Sequence, residues 1–194
     1  MLEVRLKIPK ITKAKDKETE EKFNKLIEDK ILELKSQVAD QAKSDYDSYK
    51  KEGVEFHKYE VYSEFKVTYN KNNFLSIPLR TYYYTGGAHG LTIQYGYNFD
   101  LNKGTEVSLR ELFTEGFDYK SIINKEIKNQ IQEKKDEYYP ELKFTSIEDN
   151  QTYYVDNDDL VIFYQQYEIA PYSSGIREFR IPLDNFKDSI KIHK

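Results

Sequence analysis

The sequence predicts an α+β fold in which helices pack on antiparallel sheet. Two stretches repeat apolar residues at helical spacing, each is followed by segments that alternate apolar and polar, and strands and helices come in blocks rather than in strict alternation. The 194 residues suit one medium domain or two small interlocked ones, long enough to bury a core without disulfides.

Residues 2–8 alternate, with Leu2, Val4, Leu6 and Ile8 on one face, and Pro9 marks the end of this first strand. From about Asp16 to Lys50 the period becomes helical: Phe23, Leu26, Ile27, Ile31, Leu34 and Val38 recur along one face, and Gly53 stands where a stop belongs. Strands follow at 58–69, 74–84 and 91–101. "NKNN" (70–73) forms the first hairpin turn, and Pro78 points to an edge position or a bulge. After the turn "NKG" (102–104), Ser108 and Glu111 form a capping box that opens a short helix, "SLRELF", closed by Gly116. A second helix is expected over 119–137, with Ile122, Ile123, Ile127 and Ile131 on one face. Strands at 152–155, 160–169 and 176–186 complete the chain, the first two joined by "DNDD" (156–159). This places a first part at 1–101 and a second at 102–194, as two parts or one integrated unit. Both contain a helix followed by three strands, but "SIPLR" (76–80) and "RIPLD" (180–184) fall on different strands of the two and do not align.

With 18 Tyr and 11 Phe the chain is far richer in aromatics than disordered segments are. A net charge of −4 argues against nucleic acid, which needs a basic footprint. The lysine-rich run 10–22 is mixed in sign and reads as a solvated helix face. No cysteine is present, so disulfides and zinc–thiolate sites are excluded. No signal peptide or membrane span is visible; Met1 runs directly into a strand, as if an export or anchor segment had been removed ahead of it.

The segment "YYYTGGAHG" (82–90) carries a histidine between glycines. A catalytic histidine needs a nucleophile or an orienting carboxylate, and a metal site needs further ligands at workable spacing. His57 and His193 are isolated, and no G-x-S-x-G elbow occurs, so His89 reads as a turn or packing residue. Gly86, Gly87 and Gly90 permit positive φ or close backbone approach. The stretch lacks the Lys-Ser/Thr ending of a phosphate loop. "DNDD" lacks the later glycine and glutamate of a calcium loop, since Val161 and Tyr167 stand at those positions. No metal or cofactor is expected. Glu168, at a strand end before a loop with Pro171, Tyr172 and Gly175, is the one carboxylate to weigh for acid–base work, and it reads first as a hydrogen-bonded structural group. The tyrosine-rich loops are the stronger lead, because rigid tyrosines anchor interfaces.

Three ordered motifs, "YYYTGGAHG" (82–90), "NFDLNKGTEVSLRELF" (98–113) and "VIFYQQYEIAPYSSGIREFRIPL" (161–183), resemble a bacterial domain family of unknown function. It forms the extracytoplasmic part of lysozyme-sensing anti-sigma-V factors, and the chain is also similar to the N-terminal region of a peptidoglycan deacetylase. The sigma-binding segment, the membrane span and the catalytic deacetylase domain with its Asp and His metal ligands have no counterpart here. The resemblance implies a non-catalytic binding or sensing module of the cell envelope, with a lysozyme-like protein or peptidoglycan as ligand. Tyr84, His89, Tyr167, Glu168 and Tyr172 are then the candidate contacts, with Gly86, Gly87, Gly90 and Gly175 shaping the loops. The alternative is a small hydrolase of cell-wall glycan that acts through a carboxylate or His89.

Overall fold

A computed structural model describes residues 1–194 apart from Lys13, Lys15 and Lys194, with His193 described in its backbone alone. Two lysines of the charged run 10–22 thus lie outside the described residues. The elements are β1 (Leu2–Leu6), α1 (Lys17–Glu52), β2 (Tyr59–Phe65), β3 (Tyr69–Lys71), β4 (Phe74–Tyr84), β5 (Leu91–Asp100), β6 (Thr105–Glu106), α2 (Tyr119–Glu133), β7 (Tyr153–Asp156), β8 (Asp159–Tyr164) and β9 (Arg177–Pro182), with short 3-10 segments between and after them. Among the described residues the strands form two sheets, in the orders β1-β2-β4-β5-β6, with β3 beside β4, and β7-β8-β9. The α+β class holds, with one departure: β1 runs parallel to β2. The chain divides into unit 1 (Met1–Phe65 with Leu79–Gln94) and unit 2 (Lys66–Pro78 with Tyr95–Lys194).

In unit 1 the expected long helix begins at the Asp16 cap, whose carboxylate accepts from the N–H groups of Glu18 and Thr19, and ends at Gly53 in the left-handed region. Phe23, Ile27, Ile31, Val38 and Ala42 form its buried stripe, while Leu26, expected on that face, is 40% exposed. Glu20 departs from the expected solvated face: it is buried and accepts from Ala14 N at 3.0 Å and Lys17 Nζ at 2.6 Å. Val38 and Ala42 pack on Tyr59 and Val61 of β2, with Leu2, Leu6, Phe56 and Tyr83 around them, and Tyr59 Oη donates to Asp45 at 2.6 Å.

In unit 2 the segment "NKNN" makes a two-residue turn with Asn72 and Asn73 both at positive φ, the combination that matches strand twist. The single strand expected over 58–69 is broken at 66–68. There the partner of β4 changes from β3 to β2, and Pro78, which has no N–H to give, occupies the changeover. "SLRELF" makes its capping box but only a turn, not a helix. The chain leaves the helical path to bond the C-terminal segment, with Thr114 N on Ser189 O and Lys191 N on Leu112 O. α2 stops at Glu133 and buries Tyr119, Ile123 and Ile127. β8 is the central strand of its sheet, and Leu160 to Tyr164 are all buried. It ends at Tyr164 rather than 169, and β9 ends at Pro182 rather than 186, where a 3-10 segment takes over.

The outer edge of β7 is closed by side chains. Val155 N donates to Ser76 Oγ at 2.9 Å, Asn98 Nδ2 donates to Tyr153 O at 2.9 Å, and Ser76 Oγ donates to Asn98 Oδ1 at 2.6 Å. Edge N–H and C=O groups left unpaired would be costly when buried. Gly96 provides the room: a Cβ there would lie 1.9 Å from Tyr153 O.

Candidate functional site

Strand alternation sorts the side chains of unit 1. The odd positions of β2 and of the C-terminal half of β4 face the helix; the even positions form the other face. On that face Arg5, Tyr62 and Tyr82 stand opposite one another on adjacent strands and form one row. The Tyr62 and Tyr82 rings stack with centroids 5.6 Å apart, and the Arg5 guanidinium lies 5.2 Å from the Tyr62 centroid. Tyr82 also covers Gly90, where a Cβ would fall 2.3 Å from the ring. Glu64 and Arg80 stand opposite each other in a second row, with Lys7 just past the end of β1 lining the same side, and Arg80 Nε donates to Gln94 Oε1 at 2.6 Å. Between the rows lies a trough of about 550 Å³. Partial burial, with Glu60 and Glu3 nearby, pushes the Tyr62 phenol up to about 12, so it remains a neutral donor.

Of the sequence candidates, Tyr84 lies on this same face opposite Glu60. Gly86 has φ +87, as its loop requires, and Gly87 opens onto empty space. His89 is exposed, not packed: its loop projects past the last strand pair, and Nδ1 sits 3.1 Å from Gly90 O, to which its Nδ1–H tautomer donates.

Tyr167, Glu168 and Tyr172 come together in unit 2. β8 gives way to a turn closed twice, by Glu168 N on Gln165 O at 3.2 Å and by Gln165 N on Glu168 Oε2 at 2.6 Å. Tyr167 has φ +67, a left-handed conformation rare for a bulky residue, and is 49% exposed. Its ring lies 5.6 Å from that of Tyr172. Gly175, at φ 68 and ψ −158, takes a backbone geometry open essentially to glycine alone. Partial burial holds the Glu168 carboxyl above its ordinary value against the Gln165 N–H, and Glu148 adds to the rise. Below the loop, Arg177 pairs with Glu137 at 2.6 Å, donates to Tyr138 Oη at 3.1 Å and lies 4.7 Å from the Tyr138 ring centroid. Burial opposes its charge, but Tyr138 and Glu137 outweigh it and hold its pKa above the ordinary value. Among the described residues no group of three His, Cys, Asp or Glu is placed to hold a metal ion, and no helix is long and apolar enough to cross a membrane.

Residues 1–92 match the family Deacetylase PdaC, and residues 110–184 match DUF3298, a protein family of unknown function. The trough and the whole glycine loop lie in the PdaC segment, and the Tyr167–Tyr172 turn lies in the DUF3298 segment. The peptidoglycan-N-acetylmuramic acid deacetylase PdaC of Bacillus subtilis (strain 168) is 23% identical over 137 residues, 68% of this chain but 29% of that protein's length. Among solved structures, a DUF3298 family member from Bacteroides fragilis superposes with a TM-score of 0.75 at 21% identity, covering 97% of this chain and 84% of its own. One from Pseudomonas aeruginosa PAO1 gives 0.54 at 22% identity over 69% and 62%. These likenesses establish the fold. The row Arg5–Tyr62–Tyr82 escaped the sequence reading, which placed strands at 58–69 and 74–84 without assigning their faces. Which residues face each other depends on register.

Proposed function

We propose that this chain is a non-catalytic, extracytoplasmic binding or sensing module of the bacterial cell envelope, with a lysozyme-like protein or peptidoglycan as its ligand. The observation that carries the reading is the Tyr167–Tyr172 ring pair, with Tyr167 exposed and Tyr172 half-buried, on a turn fixed by Glu168 and Gly175. Aromatic rings held in place before binding lose little entropy when a partner covers them. The PdaC-type segment supports the envelope setting, since the Bacillus subtilis relative is a peptidoglycan deacetylase. The hydrolase alternative asks for a carboxylate poised toward substrate, whereas one Glu168 oxygen is committed to its own turn.

Titration calorimetry with lysozyme and with soluble peptidoglycan fragments tests this. Heat is expected with one of them, weakening as salt rises if the acidic chain meets a basic protein. Tyr172→Ala should abolish the heat seen with lysozyme. No heat with either ligand overturns the reading.

A further inference from the structure

We propose that the open sheet face of unit 1 is a second binding site, a trough for a sugar chain that carries carboxylates. It rests on the envelope reading for the kind of polymer at hand, and on the geometry for everything else. The trough runs across three strands, so it is about 10 Å long at the usual strand spacing, and its two rows stand about 7 Å apart, two residues along a strand. Its walls, Arg5–Tyr62–Tyr82 and Lys7–Glu64–Arg80, bring Arg5, Lys7 and Arg80 together around Glu64, with Glu3 and Glu60 on the far side of Tyr62, in a chain whose net charge is −4. The excess of cations over carboxylates in the trough's own lining favours an anion there. Arginine offers five donors in a planar fork, so Arg5 can keep its pairing with Glu3 and still meet a ligand carboxylate.

The ring geometry narrows the class of anion. Nucleobases need open aromatic faces to stack on. Here Tyr62 and Tyr82 cover each other, Arg5 covers the outer side of the pair, and Tyr82 lies on Gly90. What the tyrosines turn to the trough is ring edge and phenol, beside guanidinium and ammonium groups. This suits hydroxyls, ring oxygens and carboxylates of a sugar. A peptide adding a strand would use a sheet edge, not a trough crossing the strands.

The test is calorimetry of the whole chain with the disaccharide N-acetylglucosaminyl-N-acetylmuramic acid, its methyl ester and poly(glycerol phosphate). The free acid should bind, with affinity falling as salt rises, and the ester about tenfold more weakly, the loss of one charge-assisted contact. The doubly substituted Arg5→Gln, Lys7→Gln chain should melt as the parent does and lose at least about tenfold in affinity. Tyr172→Ala should leave this binding intact, which separates it from the DUF3298 loop. Equal affinity for acid and ester, preference for the phosphate polymer, or full binding by the double variant would overturn the proposal. A chain that binds lysozyme but not the disaccharide keeps the function proposed above and loses this site.

Discussion

Replacing Gly96 with alanine should be the most damaging single-methyl change in unit 2. The added Cβ would lie 1.9 Å from Tyr153 O and 2.9 Å from its carbonyl carbon, both backbone atoms of β7 that no side-chain rotation can clear. Relief to ordinary contact moves β7 by more than about 1 Å, which stretches two 2.9 Å bonds, Asn98 Nδ2 to Tyr153 O and Val155 N to Ser76 Oγ, out of bonding range. Each orphaned buried group costs about 1–3 kcal/mol, against roughly 0.4–1 kcal/mol returned by the stiffer unfolded chain. The net loss is about 2–5 kcal/mol, or a fall in Tm of roughly 5–20 °C for a chain of this size. Urea unfolding followed by circular dichroism measures it, with Gly87→Ala as control, since a Cβ there meets nothing within 4 Å. A loss below about 1 kcal/mol for Gly96→Ala would refute the close approach of β5 and β7.

Thr81→Val should stabilise the chain by about 1 kcal/mol, because the Thr81 hydroxyl is buried without a hydrogen-bond partner; a lower urea midpoint would contradict this. Tyr167→Gly should leave the melting temperature unchanged or raise it, since glycine takes φ +67 without strain, while lysozyme heat disappears; retained lysozyme heat would remove Tyr167 from the contact surface. Stability should fall at both ends of the pH range. Asp16, Asp100, Glu111 and Asp118 have depressed pKa values. Their contribution is present above the ordinary carboxylate value near 4 and lost as pH falls through the folded values. Tyr59, Tyr97, Tyr153, Tyr154 and Tyr164 have raised values. Theirs is present below about 10 and lost as pH climbs past it, through about 12 for Tyr97. Urea midpoints at about pH 3, 7 and 11 check both arms, and a flat profile would contradict them.

What was legible in advance was local. The cap, period and stop of α1 lie within one stretch of chain, and the turns "NKNN" and "DNDD" announce themselves by residue type. The "SLRELF" segment shows where local signals mislead: its capping box forms, but bonds from Thr114 and Lys191 to distant residues override the helix. β7 shows the opposite case. Ser76 and Asn98 look like ordinary strand residues, and only a partner 79 positions away from Ser76 explains them. Sequence also overestimated β8, because nothing in "YQQYEI" reveals that the Glu168 side chain folds back on Gln165 and ends the strand.

The tyrosines carry this further, because one residue type serves three environments. Tyr59 and Tyr153 are buried and spend their hydroxyls on Asp45 and Val107 O, so they behave as core. Tyr62 and Tyr82 stack against each other on an open sheet face, half covered, with cations on both sides of the trough. Tyr167 is 49% exposed and holds a backbone conformation that is costly for a bulky residue. Burial accounts for the first pair and strand pairing for the second. Neither accounts for the third: asparagine or glycine would take the positive φ at less cost, and the contact with the Tyr172 ring still leaves Tyr167 exposed, so a partner covering that ring is the compensation we propose.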